Sequence, residues 1–255
     1  MKVLILAGGM GTRLAEETQV RPKPMVEIGG RPILWHIMKH YSHYGFKEFY
    51  IALGYKGEMI KRYFKEYYAL NSNMTIDLSS GEVTLENKES EDWTVHLIDT
   101  GLGTNTGGRI KRLKPYLEGG TFMVTYGDGV GDVDLHALVS LHKKQNRLAT
   151  MTAVRPPARY GGMIFEGSLV KKFTEKPQIG EGWVNGGFLV FEPGVFNYLP
   201  EDRTSLEFET LEHLAQKGEI SAYRHEGFWQ CMDTLRDLNY LTSLWDTDNP
   251  PWKVW

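Results

Sequence analysis

The chain opens on an unbroken apolar run, Val3-Leu4-Ile5-Leu6-Ala7, that stops at two glycines. A strand covered on both faces of a parallel sheet reads this way, because neither side of its pleat meets water. Over residues 32–44 the period changes. Ile33, Ile37, Met38 and Tyr41 fall on one helical face, and Gly45 suits a helix stop. Residues 48–53 predict a second strand and 56–70 a second helix. This β-α-β-α order predicts an α/β fold of Rossmann-like type, with a doubly wound, mixed sheet flanked by helices and right-handed crossovers.

Residues 74–78, 82–86 and 94–98 read as short strands separated by polar residues, a small β-rich excursion from the main pattern. A helix is expected over 107–117 and a buried strand over 121–126, which ends in Gly127-Asp128-Gly129. A helix at 135–145 and a strand at 149–154 follow. Beyond Pro156-Pro157 the pattern turns strand-rich, at 163–166, 169–174 and 184–191. Then come a helix near 207–216, a strand at 220–225 and a last helix at 235–245. Pro250 and Pro251 keep the tail from continuing that helix. Trp252 and Trp255 predict that the tail packs, on its own chain or on a neighbour. Neither an internal repeat nor a low-complexity linker interrupts residues 1–255, so one domain is expected.

Composition narrows the partners. Of 255 residues, 41% are hydrophobic and 24% charged, as in ordinary soluble proteins. Lys and Arg number 29 against 32 Asp and Glu, a net charge of −3 that argues against a nucleic-acid partner. The single cysteine, Cys231, leaves no intrachain disulfide and fits a reducing compartment. No apolar run reaches the roughly 18 residues of a membrane span. The N-terminus has no signal-peptide pattern. A cytoplasmic protein without a membrane partner is expected.

The loop after the first strand, Gly8-Gly9-Met10-Gly11-Thr12-Arg13, carries the first chemistry. It would sit at the carboxyl edge of the sheet, where doubly wound folds bind ligands. Its glycines let the backbone approach a ligand closely, and their N–H groups can face phosphate oxygens. Arg13 adds a bidentate phosphate donor. The loop matches neither the dinucleotide fingerprint, since Leu14 stands where a third glycine belongs, nor the P-loop, which needs Gly-Lys-Ser/Thr. A glycine turn with no ligand therefore stays open on these residues alone. The next segment points the other way. Pro22 and Pro24 brace Lys23, exclude a helix there, and suit it as a second clamp on a triphosphate.

Asp128 would also lie at the carboxyl edge, and both a turn and a ligand-facing carboxylate fit its Gly-Asp-Gly setting. Asp233 precedes a helix and reads as its N-cap. His36, His40 and His43 are spaced i, i+4, i+7 on one helix face, which is metal-ligand spacing, but without an accompanying carboxylate it reads as a packed or solvated face.

Taken together, Leu6-Ala7-Gly8-Gly9-Met10-Gly11-Thr12-Arg13-Leu14 and Pro22-Lys23-Pro24-Met25 resemble the sugar-1-phosphate nucleotidylyltransferases. The run Gly29 to Met38, Thr106-Gly107-Gly108-Arg109, Tyr126-Gly127-Asp128-Gly129, Glu175-Lys176-Pro177, Asn185-Gly186-Gly187-Phe188, Phe228-Trp229-Gln230, Met232-Asp233-Thr234 and the Pro-Trp-Lys-x-Trp tail narrow this to the glucose-1-phosphate cytidylyltransferases. The resemblance spans nearly the whole chain in order. Two departures stand out. Cys231 replaces a usual proline, and the stretch Ser205 to Thr210 lacks Trp and Pro around its glutamates, which leaves the roles of Glu207 and Glu209 open.

The resemblance implies transfer of a cytidylyl group from CTP to α-D-glucose 1-phosphate, giving CDP-glucose and pyrophosphate. Arg13, Lys23 and Asp128 would be catalytic. Leu6, Ala7, Gly8, Gly9, Met10, Gly11, Thr12, Arg13, Lys23, Thr106, Arg109 and Gly127 would bind the nucleotide, with Arg109 near the base or the phosphates. Tyr160, Gly161, Glu175, Lys176, Asn185 and Gly186 would hold the sugar phosphate. Asp128 and Asp233 would bind Mg²⁺, which suits a cation held by one or two carboxylates plus phosphates. The nucleotide-binding part would occupy about residues 1–130 and the sugar-binding, C-terminal part about 131–255. A homo-oligomer, trimer or hexamer, is expected. UTP or dTTP, another hexose, or a catalytically silent binding subunit remain alternatives, because the acceptor that tells cytosine from uracil is expected to be a backbone carbonyl.

Overall fold

The computed structural model describes residues 1–86, 90–156, 162–166, 169–174 and 182–255. Its main sheet contains β1 (Val3–Ala7), β2 (Glu48–Leu53), β3 (Thr94–Asp99), β4 (Phe122–Tyr126), β5 (Ala149–Val154), β6 (Val184–Phe191) and β7 (Ile220–His225). Across the sheet the order is β7-β5-β6-β4-β1-β2-β3. β6 runs antiparallel to both its neighbours, and the other pairings are parallel, so the sheet is mixed as expected. The strands from the second half of the chain, β7, β5 and β6, lie together on one side of the sheet, and those from the first half on the other, meeting where β6 pairs with β4.

The opening apolar run behaves as its pattern requires. Val3, Ile5 and Ala7 face one hydrophobic cluster, while Leu4 and Leu6 face another on the opposite side. β2 divides in the same way, Phe49, Ile51 and Leu53 against Tyr50 and Ala52. The two-residue period of a strand thus feeds two cores at once. Each of the valine, leucine, isoleucine and phenylalanine side chains among them contributes about 1.5–3 kcal/mol when fully buried. Helix α1 (Ile33–His43) covers the first face with Ile33, Ile37, Met38 and Tyr41. Helix α2 (Gly57–Lys65) adds Ile60 to the same face. On the second face lie Ile110 of α3 (Thr106–Arg112) and Leu113, beside Leu117 of the short helix Lys114–Leu117. Helices α4 (Leu135–Gln145) and α5 (Leu235–Trp245) add Leu138 and Leu241 to the first cluster.

Several expectations are corrected. Residues 94–98 do not belong to the β-rich excursion. They form β3, paired in parallel with β2 at the sheet edge. The excursion is a hairpin of Asn73–Asp77 with Glu82–Glu86. Short-range pattern could not separate a third excursion strand from an edge strand, because β3 is only half-buried. The helix expected over 107–117 breaks at Leu113, and Pro115 opens a new turn where its missing N–H costs nothing. That expected over 56–70 likewise divides, into α2 and Tyr67–Leu70. Residues 207–216 are a wide π-type turn, Leu206–Leu211, followed by Glu212–Gln216. Pro22 is extended as expected, but Lys23–Met25 forms one 3-10 turn, short enough to tolerate Pro24.

The tail packs on its own chain. Trp252 is buried and stacks on Phe228 at 5.7 Å and on Trp245 at 6.3 Å. His36 lies edge-on to Trp245 at 4.7 Å, and its Nε2 is 2.9 Å from the Ile28 carbonyl. His40 packs against Phe188. Of the i, i+4, i+7 histidines, His36 and His40 are thus packed and His43 is exposed. Among the described residues, no cluster of three or more metal-ligating side chains is present, and no helix is long and apolar enough to cross a membrane.

Candidate active site

The sheet register assembles the site. Leu6 of β1 stands beside Tyr126 of β4, so the loops that leave these strands, Gly8–Arg13 and Gly127–Asp128, emerge side by side. β6 runs the opposite way, with Phe188 beside Thr125, so its first residues, Asn185 and Gly186, reach the same edge. A short ribbon brings in the last member. Gly129–Gly131 pairs antiparallel with Trp229–Cys231, and Met232 N donates to the Asp128 carbonyl at 2.8 Å. This clip carries Asp233 to Asp128 across more than a hundred residues.

The charged centre is compact. Lys23 Nζ donates to Asp128 Oδ2 and to Asp233 Oδ1, each at 2.6 Å. Arg13 Nη1 donates to Asp233 Oδ2 at 2.7 Å. Burial alone would pull the Lys23 ammonium down, but the two carboxylates outweigh it and hold its pKa above the usual lysine value. Burial pushes the Asp233 carboxyl up, and Lys23 with Arg13 overcomes this and holds it below the usual range. Lys23 and Asp233 are therefore both charged at neutral pH. Asp233 is not the helix cap. Thr234 caps α5 in a reciprocal box with Asp237, which leaves the Asp233 oxygens to Lys23, Arg13 and the Cys231 thiol.

Two cavities meet at this centre. The first, of about 300 Å³, is lined by Leu6, Ala7, Gly8, Gly9, Gly11, Thr12, Arg13, Lys23, Thr106, Arg109, Gly127 and Asp128, all singled out in the sequence, with Pro24, Thr104, Asn105 and Tyr126. Met10 is the exception. It is 62% exposed and stands outside the lining. The second cavity, of about 270 Å³, contains Asn185, Gly186 and Asp233 with Glu207, Trp229 and Cys231. Arg13, Tyr126 and Asp128 line both. Tyr160, Gly161, Glu175 and Lys176 lie outside the described residues.

Arg109 works from beneath the loop. Its Nη2 donates to the Gly8 carbonyl at 3.0 Å, and its Nη1 reaches Thr100 Oγ1 at 2.6 Å and the Gly101 carbonyl at 2.9 Å. Burial lowers its pKa from the usual arginine value. A Cβ on Gly8 would lie 2.2 Å from Arg109 Nη1, so only glycine leaves room for this brace. Arg109 lines the first cavity while its guanidinium is engaged by backbone carbonyls and Thr100, so it braces the Gly8 loop from within the cavity wall.

Tyr126, Trp229 and Glu207 were not singled out in advance as site residues. Tyr126 carried a signal, as the last strand residue before Gly-Asp-Gly. Trp229 sits on the clip and donates Nε1–H to the Gly186 carbonyl at 2.7 Å. Glu207 reaches the second cavity only through the π-type turn, which no local pattern announces.

Asp128 and Asp233 present hard oxygen donors on either side of one ammonium, where the two cavities meet. That donor set fits Mg²⁺, which takes one or two carboxylates and completes its shell with water and phosphate.

Residues 2–246 match the family model described as nucleotidyl transferase. The glucose-1-phosphate cytidylyltransferase of Salmonella typhi is 49% identical over 256 residues, covering 100% of each chain. The probable glucose-1-phosphate cytidylyltransferase of Bacillus subtilis (strain 168) is 44% identical, again over 100% of each. Among solved structures, HddC from Yersinia pseudotuberculosis superposes with a TM-score of 0.70 at 24% identity, over 95% of this chain and 98% of that one. UDP-glucose pyrophosphorylase complexed with UDP-glucose gives 0.69 at 18% identity, over 97% and 98%. At such identities these two structures speak for the fold.

Proposed function

The chain belongs to the nucleotidyl transferase family, and from that premise we propose that it transfers a cytidylyl group from CTP to α-D-glucose 1-phosphate, releasing CDP-glucose and pyrophosphate. Full-length identity of 49% to a glucose-1-phosphate cytidylyltransferase carries this reading. The adjoining cavities support it, because the reaction needs two phosphates brought face to face.

A phosphate oxygen of the sugar attacks the α-phosphorus. The new P–O bond forms as the bond to the β-phosphate oxygen breaks, and the electron pair leaves with pyrophosphate. The attacking group is already an anion, so no side chain need deprotonate it. Positioning and charge stabilisation remain as the protein's task. The Gly8–Thr12 backbone receives the triphosphate, with Arg13 and Lys23 offsetting the repulsion between the two phosphates. Gly127 lies beside Asp128, and Thr106 lines the nucleotide cavity. Asn185 and Gly186 face the sugar phosphate, joined by Tyr160, Gly161, Glu175 and Lys176. Asp128 and Asp233 would hold Mg²⁺, which when bound supplies positive charge to the phosphate oxygens and the departing pyrophosphate. The enzyme acts as one domain, in the cytoplasm, as a homo-oligomer whose size light scattering would determine.

Pyrophosphate release, measured with CTP, UTP and dTTP against a set of hexose 1-phosphates, tests the reading. Turnover should be highest with CTP and glucose 1-phosphate in the presence of Mg²⁺. Absence of turnover with every pair, on folded protein, would falsify the enzymatic reading. A preference for UTP would overturn the base assignment alone.

A further inference from the structure

Glu207 belongs to the stretch whose role the sequence left open, and its carboxylate is fully engaged. Oε1 accepts the Tyr126 hydroxyl proton at 2.6 Å. Oε2 accepts from Thr106 Oγ1 at 2.7 Å and from Ser205 Oγ at 3.0 Å. Thr106 also accepts from Leu206 N at 2.9 Å, which fixes its hydroxyl proton toward Glu207.

The consequence lies one residue further on. A phenol has a single proton. With that proton committed to Glu207, the Tyr126 oxygen can only accept from its other neighbour, Asn185 Nδ2, at 3.2 Å. The opposite end of the same amide, Asn185 Oδ1, accepts from Gly187 N at 2.9 Å. The Asn185 amide is therefore held in one of its two flips from both ends. One N–H and one carbonyl lone pair remain for a ligand in the second cavity, which Asn185 and Glu207 both line. Burial, reinforced by the Glu207 charge, holds the Tyr126 phenol well above the ordinary tyrosine range, so it stays a donor. Thr106 and Tyr126 line the first cavity, so this chain of hydrogen bonds runs along the wall between the two.

We propose that Glu207 is a positioning residue for the sugar phosphate: by taking the Tyr126 proton it fixes the Asn185 amide in the orientation that meets the sugar. The proposal rests on the cytidylyltransferase reading above. Glu209, two residues on, has a different task, since its Oε1 accepts from Ser205 N at 2.8 Å and closes the turn on itself.

Steady-state kinetics on Tyr126→Phe, Glu207→Gln and the double variant test this, with wild type assayed alongside. Phe removes the acceptor of Asn185, and Gln cannot accept from Tyr126, Thr106 and Ser205 together. Each single variant should raise KM for glucose 1-phosphate about tenfold, equivalent to roughly 1.4 kcal/mol, while KM for CTP and kcat move less than about threefold. Because both act through one hydrogen bond, the double variant should be no worse than the poorer single. Unchanged KM for the sugar phosphate, equal losses for both substrates, or multiplying losses in the double variant would each overturn the proposal. If Tyr126→Phe fails to fold, Glu207→Gln alone decides between the first two outcomes. Wild type that turns over no CTP with glucose 1-phosphate would overturn the enzymatic reading and the proposal with it, whereas the variant outcomes bear on the proposal alone.

Discussion

The Lys23 ammonium lies 2.6 Å from the Asp233 carboxylate, a partner 210 residues away in sequence. The same nitrogen lies 2.6 Å from Asp128, so one cation holds two acids in place before any phosphate arrives. Replacing Lys23 by Met leaves those acids facing each other, with Arg13 still donating to Asp233. Removing one member of a buried pair is costly, and we expect a loss of about 2 kcal/mol in urea unfolding, below the full range because Asp128 is partly exposed. Turnover should fall by at least about 100-fold, as for loss of a preorganised charge at a reacting phosphate. A variant with wild-type stability and rate would show that the lysine supports neither.

Asp128→Asn keeps the size of the side chain and removes its charge. Turnover is expected to vanish while CTP binding, measured by calorimetry, survives in part, since the loop and Arg13 remain. Near-normal activity would exclude Asp128 as a metal ligand.

The loop glycines are not equivalent. At Gly8 a Cβ would collide with Arg109, whereas at Gly9 nothing lies within 4 Å. Gly8→Ala should lose roughly 1–3 kcal/mol by overpacking, and Gly9→Ala should stay within about 0.5 kcal/mol of wild type. Thermal unfolding of the free proteins compares them. Equal stabilities would mean that Arg109 moves aside freely.

Acid should weaken the fold before the carboxylates titrate. Burial lowers the pKa of His36 to about 4 and of His40 to about 4, so both are neutral in the folded chain at pH 6. Arg31 and Lys253 near His36, and His43 and His225 near His40, reinforce the lowering. The unfolded chain binds these protons near the ordinary histidine value. Stability is thus complete above about pH 6.5 and declines as pH falls toward 4, by up to about 3 kcal/mol for each histidine. Tm should fall between pH 7 and pH 5, and His36→Asn should flatten the slope. A Tm that holds constant down to pH 5 would show that both rings stay solvated.

The tail is a structural strap. Trp252 is 1% exposed among Phe228, Trp245 and His36. Trp252→Ala should cost about 3–5 kcal/mol in unfolding experiments, the range for a large buried aromatic. A change under about 1 kcal/mol would mean that the neighbouring aromatics close over the gap.

The sequence by itself determined the strands, the glycine loop and the residue types that meet phosphate. It could do so because burial on two faces, helical periodicity and glycine turns are local and leave a local pattern. Val3–Ala7, Gly8–Arg13 and Lys23 were legible for that reason. What only the tertiary structure decided depends on register and distance. Asp233 looked like a helix cap until the ribbon of Gly129–Gly131 with Trp229–Cys231 carried it to Lys23 and gave the cap to Thr234. Arg109 showed in sequence only as a donor-rich residue at a helix start, and its place beneath Gly8, donating to that carbonyl, came with the fold. Residues 94–98 looked like part of the excursion until their pairing with β2 made them the sheet edge. Glu207 had no readable role until Tyr126 was brought to it across 81 residues. Each outcome turns on a pairing, of side chains or of strands, with a partner far along the chain, and a contact of that kind writes nothing into its neighbours in sequence.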